Sequence, residues 1–145
     1  MLNYTVISDR LDRIRRSTNR LHKLAQLSWE QFLADPDNFA VAEHHLRRAI
    51  EALLDVGRHI LAKQGLARPS DYRAVIISLG HHGILPMEFS EKIQGMAGYR
   101  NRLVHAYADV TEKEIYEIIT TRLDDFRQFV KYIVDYIERE REQES

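Results

Sequence analysis

The chain has no cysteine, only three prolines and a single tryptophan in 145 residues. The missing cysteine excludes both a disulfide framework and a thiol nucleophile. No apolar stretch approaches the roughly 20 residues needed for a membrane-spanning helix. Asn3, Ser8, Asp9 and Arg10 interrupt any apolar run at the N-terminus, so no secretory signal is expected there. Together these features predict a cytoplasmic protein with no membrane partner. A charge surplus is lacking as well: 21 Lys and Arg stand against 22 Asp and Glu, leaving a formal net charge of −1. That balance argues against a tight nonspecific duplex binder, although local charge can still grip a single-stranded segment. Strand-like alternation is also missing, and with it any Gly-rich phosphate loop following a strand.

What is present is helical periodicity over nearly the whole chain, read as one domain spanning residues 1–145. Leu11, Ile14, Leu21, Leu24 and Ala25 predict a first helix from about Val6 to Leu27. Its Arg10, Arg13, Arg15, Arg16, Arg20 and Lys23 face only Asp9 and Asp12, while acidic residues dominate the C-terminal tail. Both runs read as solvated helix faces. Ser28 and Gln31 form a capping-box signature for a short helix over Trp29 to Leu33, and Asp35-Pro36-Asp37-Asn38 predicts a break. A broad apolar face from Phe39 to Lys63 predicts a central helix about 38 Å long.

Gly65 ends that helix, and a shorter one follows from Asp71 to Leu79. Gly80, Gly83 and Pro86 mark the next break. A further helix starts near Met87 or Ser90 and runs through Ile93, Met96, Leu103 and Val104. Gly95 and Gly98 within it cost about 1 kcal/mol each relative to alanine, compensated by close approach of another backbone or by room for a ligand. Thr111 and Glu114 form a second capping box, making Tyr107 to Val110 a tight link. The last helix is read from Glu112 to Glu140. The fold expected is all-α, an up-and-down bundle of four main helices with an additional short helix.

Chemistry concentrates in Arg100 to Tyr107, RNRLVHAY. Arg100, Arg102 and His105 lie within two helical turns, with Asn101 alongside and Tyr107 just beyond. Two fixed positive charges beside an imidazole suit a phosphate better than a metal. Arg102 and His105 share a helix face, as do Asn101 and His105, whereas Arg100 and His105 are about 140° out of register. They converge if the helix distorts at its end, if Arg100 reaches around, or if two chains meet along this face. Cleaving RNA without a metal requires a base for the 2′-OH proton, compensation for charge on the phosphorane, and an acid for the departing 5′-oxygen. His105 suits proton transfer, and Arg100 could hold nonbridging oxygens by bidentate hydrogen bonds. Arg102 could assist or bind a neighbouring phosphate, and Asn101 could orient His105 or position the backbone. Tyr107 could stack on a base, donate a hydrogen bond, or serve as the place where the site is switched off. The competing reading is ordinary capping, packing and solvation in a noncatalytic module for protein interaction or nucleotide sensing.

The combined pattern resembles the HepT-like branch of the HEPN superfamily, small all-helical toxins found with MntA-type nucleotidyltransferase antitoxins. The family pattern Arg-x-x-x-x-His-x-Tyr fits Arg100, His105 and Tyr107 without a gap, and Asn101 supplies the polar residue that commonly follows the arginine. The stretches GMAGYRNRLVHAY and AIEALLDVGRHIL also resemble this branch. The resemblance implies a homodimeric, metal-independent ribonuclease with Arg100 and His105 in its cleft. It further implies restraint by a cognate antitoxin, in some systems through adenylylation of the motif tyrosine, here Tyr107. Attached AMP would place bulk and negative charge where substrate phosphate should sit.

Other candidates are weaker. The pairs His44/His45 and His81/His82 lack a carboxylate or cysteine at ligand spacing, so neither a metal nor another cofactor is expected. Glu51 and Asp55, four apart on the second helix, read as a polar stripe at the bundle edge. Alternatively they face the Arg100/His105 cleft and anchor an arginine or a histidine tautomer. Trp29, Phe32 and Phe39 read as seals for one end of the bundle.

Overall fold

The computed structural model describes residues 1–105 and 110–144. All regular structure among the described residues is helical: α1 Tyr4–Ala25, α2 Trp29–Ala34, α3 Pro36–Lys63, α4 Tyr72–His81, α5 Met87–Ile93, α6 Met96–Val104, α7 Glu112–Thr121 and α8 Leu123–Glu144. Among the described residues no helix is long and apolar enough to cross a membrane.

The helix starts follow local chemistry. Asn3 caps α1 by accepting from the Val6 N–H, and Asp71 caps α4 by accepting from the Ala74 N–H. Ser28 and Gln31 exchange both bonds of a capping box at α2. Pro36 is where the sequence expectation needs correction. The expected break is present but falls at Asp35 alone, and Pro36 already opens α3, because Asp35 accepts from the Asp37 N–H and a proline in the first turn forfeits no intrahelical bond. Gly65, with φ +64°, supports the turn after α3.

Two long helices expected from periodicity are each divided. The segment from Met87 to Val104 breaks between Ile93 and Met96, at Gln94 and Gly95. The last helix breaks at Arg122 without any glycine or proline. There Thr121 Oγ1 bonds the Glu117 carbonyl at 2.5 Å, and Thr120 Oγ1 bonds the Tyr116 carbonyl at 2.7 Å. Such hydroxyls compete for the carbonyls of the helical ladder and bend it. Beyond the bend, buried Asp125 receives the Arg122 Nε–H at 2.8 Å and Lys92 Nζ at 3.2 Å, which ties the α7/α8 corner to the end of α5.

The buried face of α3, including Leu46, Ile50, Leu53, Leu54, Ile60 and Leu61, forms the centre of the core. Helix α1 runs antiparallel to it: Asn3 N–H donates to His59 Nε2 at one end, and Ser17 Oγ meets His45 Nδ1 further along. Trp29, Phe32 and Tyr116 cluster where α2 meets α7, and the Tyr116 hydroxyl donates to the Leu27 carbonyl at 2.6 Å.

Gly80, expected to mark a break, instead lies buried inside α4. A Cβ there would sit 2.7 Å from Ser90 Cβ. Ser90 is itself buried and donates to the Ile76 carbonyl at 2.5 Å, so it has little freedom to retreat. Gly80→Ala is therefore expected to separate α4 from α5 and cost about 1–3 kcal/mol. Thermal denaturation should show a fall of several degrees; an unchanged midpoint would mean that the contact yields freely. Of the two compensations expected at Gly95 and Gly98, close backbone approach is excluded: among the described residues no neighbouring atom lies within 4 Å of a Cβ built on either, which leaves open space.

Candidate active site

Helix α6 carries the motif. Ala97 and Leu103 fix it to the core, which leaves its polar residues on the outer sides. It ends at His105, whose ψ of 116° leaves the helical region while its N–H still donates to the Asn101 carbonyl at 3.3 Å. The His105 side chain is exposed. Tyr107, proposed from sequence as both positioning and modified residue, lies outside the described residues, as does most of the expected tight link.

Arg100 is half-buried, and its guanidinium lies 4.7 Å from the ring centroid of Tyr72, the first residue of α4. One Nη donates to Asn101 Oδ1 at 3.3 Å, whereas the buried Nε has no hydrogen-bond partner among the described residues. No carboxylate among the described residues lies within ion-pair distance of Arg100. Among the described residues the guanidinium is met by an aromatic ring rather than by a carboxylate.

Arg102 is held differently. Its two Nη groups reach the two Glu114 oxygens at 2.9 and 3.2 Å, and its guanidinium lies 5.2 Å from the Tyr99 ring centroid. The Tyr99 hydroxyl donates to the same carboxylate at 2.6 Å. Burial and that bond to Glu114 push the Tyr99 pKa well above the ordinary phenol range. The capping role expected of Thr111 is present, with its Oγ1 accepting from the Glu114 N–H at 3.2 Å. The Glu114 side chain, however, serves α6. One carboxylate thus links α7, which follows residues 106–109, to α6, which precedes them.

Glu51 and Asp55 make ion pairs at the helix edge. Glu51 accepts from Arg47 at 3.1 Å on its own helix, and Asp55 lies 3.7 Å from Arg10 of α1. These contacts favour the bundle-edge reading over an anchoring role toward Arg100 or His105. Periodicity alone did not single out Tyr72 or Arg58, whose guanidinium lies 4.7 Å from the same ring centroid. No local signal could have found them, because Tyr72, Arg58 and Arg100 come from three different helices.

A helical bundle presenting an arginine and an exposed histidine from the end of one helix is the arrangement of a HEPN-type domain. The chain belongs to the ribonuclease HepT-like family, whose sequence model matches residues 8–133. It is 29% identical over 132 residues to the tRNA nuclease HepT of Aphanizomenon flos-aquae, covering 91% of this chain and 90% of that protein. It is also 29% identical over 89 residues to the mRNA nuclease HepT of Shewanella oneidensis, covering 61% of this chain and 67% of that one. Among solved structures, a tri-AMPylated HEPN toxin from Shewanella oneidensis in complex with MNT antitoxin superposes with a TM-score of 0.81 at 25% identity, covering 90% of this chain and 97% of the toxin. YutE of Bacillus subtilis, a cytosolic protein of unknown function, shares the fold with a TM-score of 0.84 at 19% identity, covering 96% of this chain and 93% of that one.

Proposed function

We propose that this protein is a ribonuclease toxin that cleaves RNA phosphodiesters without a metal, in a cleft completed by a second copy of the chain. An MntA-type nucleotidyltransferase antitoxin restrains it through adenylylation of Tyr107. The observation that carries the reading is the Arg100–His105 pair: a guanidinium with no carboxylate partner among the described residues, and a solvent-exposed imidazole at the end of the same helix of a HepT-like chain. The nuclease names of the two relatives and the AMPylated toxin–antitoxin complex support it.

In the reaction, one His105 imidazole takes the 2′-OH proton as that oxygen attacks phosphorus. A second His105, from the other copy, protonates the departing 5′-oxygen. Arg100 binds the nonbridging oxygens more tightly as charge accumulates on them. The products are a 2′,3′-cyclic phosphate and a 5′-hydroxyl. Asn101 holds the Arg100 fork, and Arg102 sets the motif against α7 through Glu114 instead of contacting the scissile phosphate.

The test uses protein expressed without its antitoxin and a total RNA pool containing excess EDTA. Cleavage to cyclic-phosphate ends is expected, whereas intact RNA at high enzyme concentration would sink the reading. In a second arm, antitoxin and ATP should add AMP at Tyr107 and stop cleavage. Tyr107→Phe should receive none at that position.

A further inference from the structure

We propose that Arg58 and Arg100 form a two-guanidinium clamp on Tyr72, with Arg100 taking the reacting phosphate and Arg58 a neighbouring phosphate of the same single RNA strand. The inference rests on the ribonuclease reading and extends its site by a residue outside the motif. Arg58 comes from α3, Tyr72 opens α4 and Arg100 lies on α6. Both guanidinium carbons sit 4.7 Å from one ring centroid, so they are no more than twice that distance apart. Consecutive phosphates of a single strand can span such a gap.

The charge pattern points the same way. Arg10, Arg47, Arg102 and Arg122 each engage a carboxylate, but Arg58 and Arg100 engage none among the described residues. Asp55, one turn before Arg58, is directed to Arg10. Two like charges therefore share one aromatic ring with no carboxylate paired to either among the described residues. The ring quadrupole offsets part of that repulsion and holds both guanidiniums beside the ring, which reduces the ordering needed for phosphate binding. Arg100 Nε is buried without an acceptor among the described residues, so this guanidinium holds hydrogen-bonding capacity that the fold leaves unused. Arg58 is exposed and accessible to a strand lying across α6.

The experiment measures binding apart from cleavage. The His105→Ala protein, which on this mechanism cuts RNA too slowly to matter during a titration, is titrated into a fluorescein-labelled single-stranded RNA at several salt concentrations. Adding Arg58→Ala should weaken binding about tenfold at low salt and reduce the slope of log affinity against log salt by about 0.7, the loss of one single-strand phosphate contact. Arg58→Lys should keep the slope and recover part of the affinity, while Arg127→Ala, an exposed arginine on α8, should change neither. An unchanged slope in Arg58→Ala overturns the clamp, as does a parent protein that binds no RNA. Preferential competition by an acidic peptide with no salt-slope change would assign the pair to a protein partner and overturn it equally. Failure of the ribonuclease reading is distinct: wild-type protein would leave RNA intact while Arg58-dependent binding remained.

Discussion

Replacing His105 with alanine is expected to lower RNA cleavage by about a thousandfold while leaving the bundle folded. A positioned proton-transfer group contributes roughly 10²–10⁴ in rate, and here one substitution removes the base from one copy and the acid from the other. The structural cost should be small. His105 is exposed and contributes nothing to the hydrophobic core, and its backbone bond to the Asn101 carbonyl survives in alanine. Helical circular dichroism and the thermal midpoint should stay close to wild type, so the comparison isolates chemistry. Cleavage at the parental rate by a folded His105→Ala protein would remove the imidazole from the mechanism.

The second large effect is expected at Arg100, where lysine should serve little better than alanine. Either substitution is expected to reduce cleavage by about a hundredfold, the scale for losing one directed donor to a developing oxyanion. Lysine retains the charge but loses the planar fork that lies over Tyr72 and can grip two phosphate oxygens together. The loss should fall mainly on kcat, because this contact strengthens as charge builds on phosphorus. A purely electrostatic role would instead give Arg100→Lys near-parental turnover, so the lysine variant is the sharper test. Arg58→Ala should act mainly on binding, giving the two arginines separate kinetic signatures.

The helices were largely legible because their signals are local. Ser28 with Gln31, Asp71 before Tyr72, and Gly65 after Lys63 each specify a boundary through bonds or dihedrals within a few residues. The bends were not legible in the same way. The one at Arg122 depends on two threonine hydroxyls and on a buried carboxylate reaching back to Lys92, a contact between distant segments. The Pro36 discrepancy has a local cause too: the same proline breaks a helix from within and suits its first turn, and Asp35 decides which occurs. At the site, spacing picked out Arg100 and His105 but could not say what holds them. Tyr72 reaches Arg100 only through the packing of α4 against α6, and Glu114 could equally have closed its own capping box. Glu51 and Asp55 show the converse, since acidic residues at helical spacing found arginines at the bundle edge.

The Glu114 bridge has a consequence for inhibition. Arg102 and Tyr99 grip it from before the motif tyrosine, while Thr111 caps the same residue's backbone after it. The end of α6 and the start of α7 are thereby joined through side chains that lie outside residues 106–109. On the proposed adenylylation of Tyr107, AMP would be added between two helices that this carboxylate already clasps together, so modification would block the site while the bundle around it stays assembled.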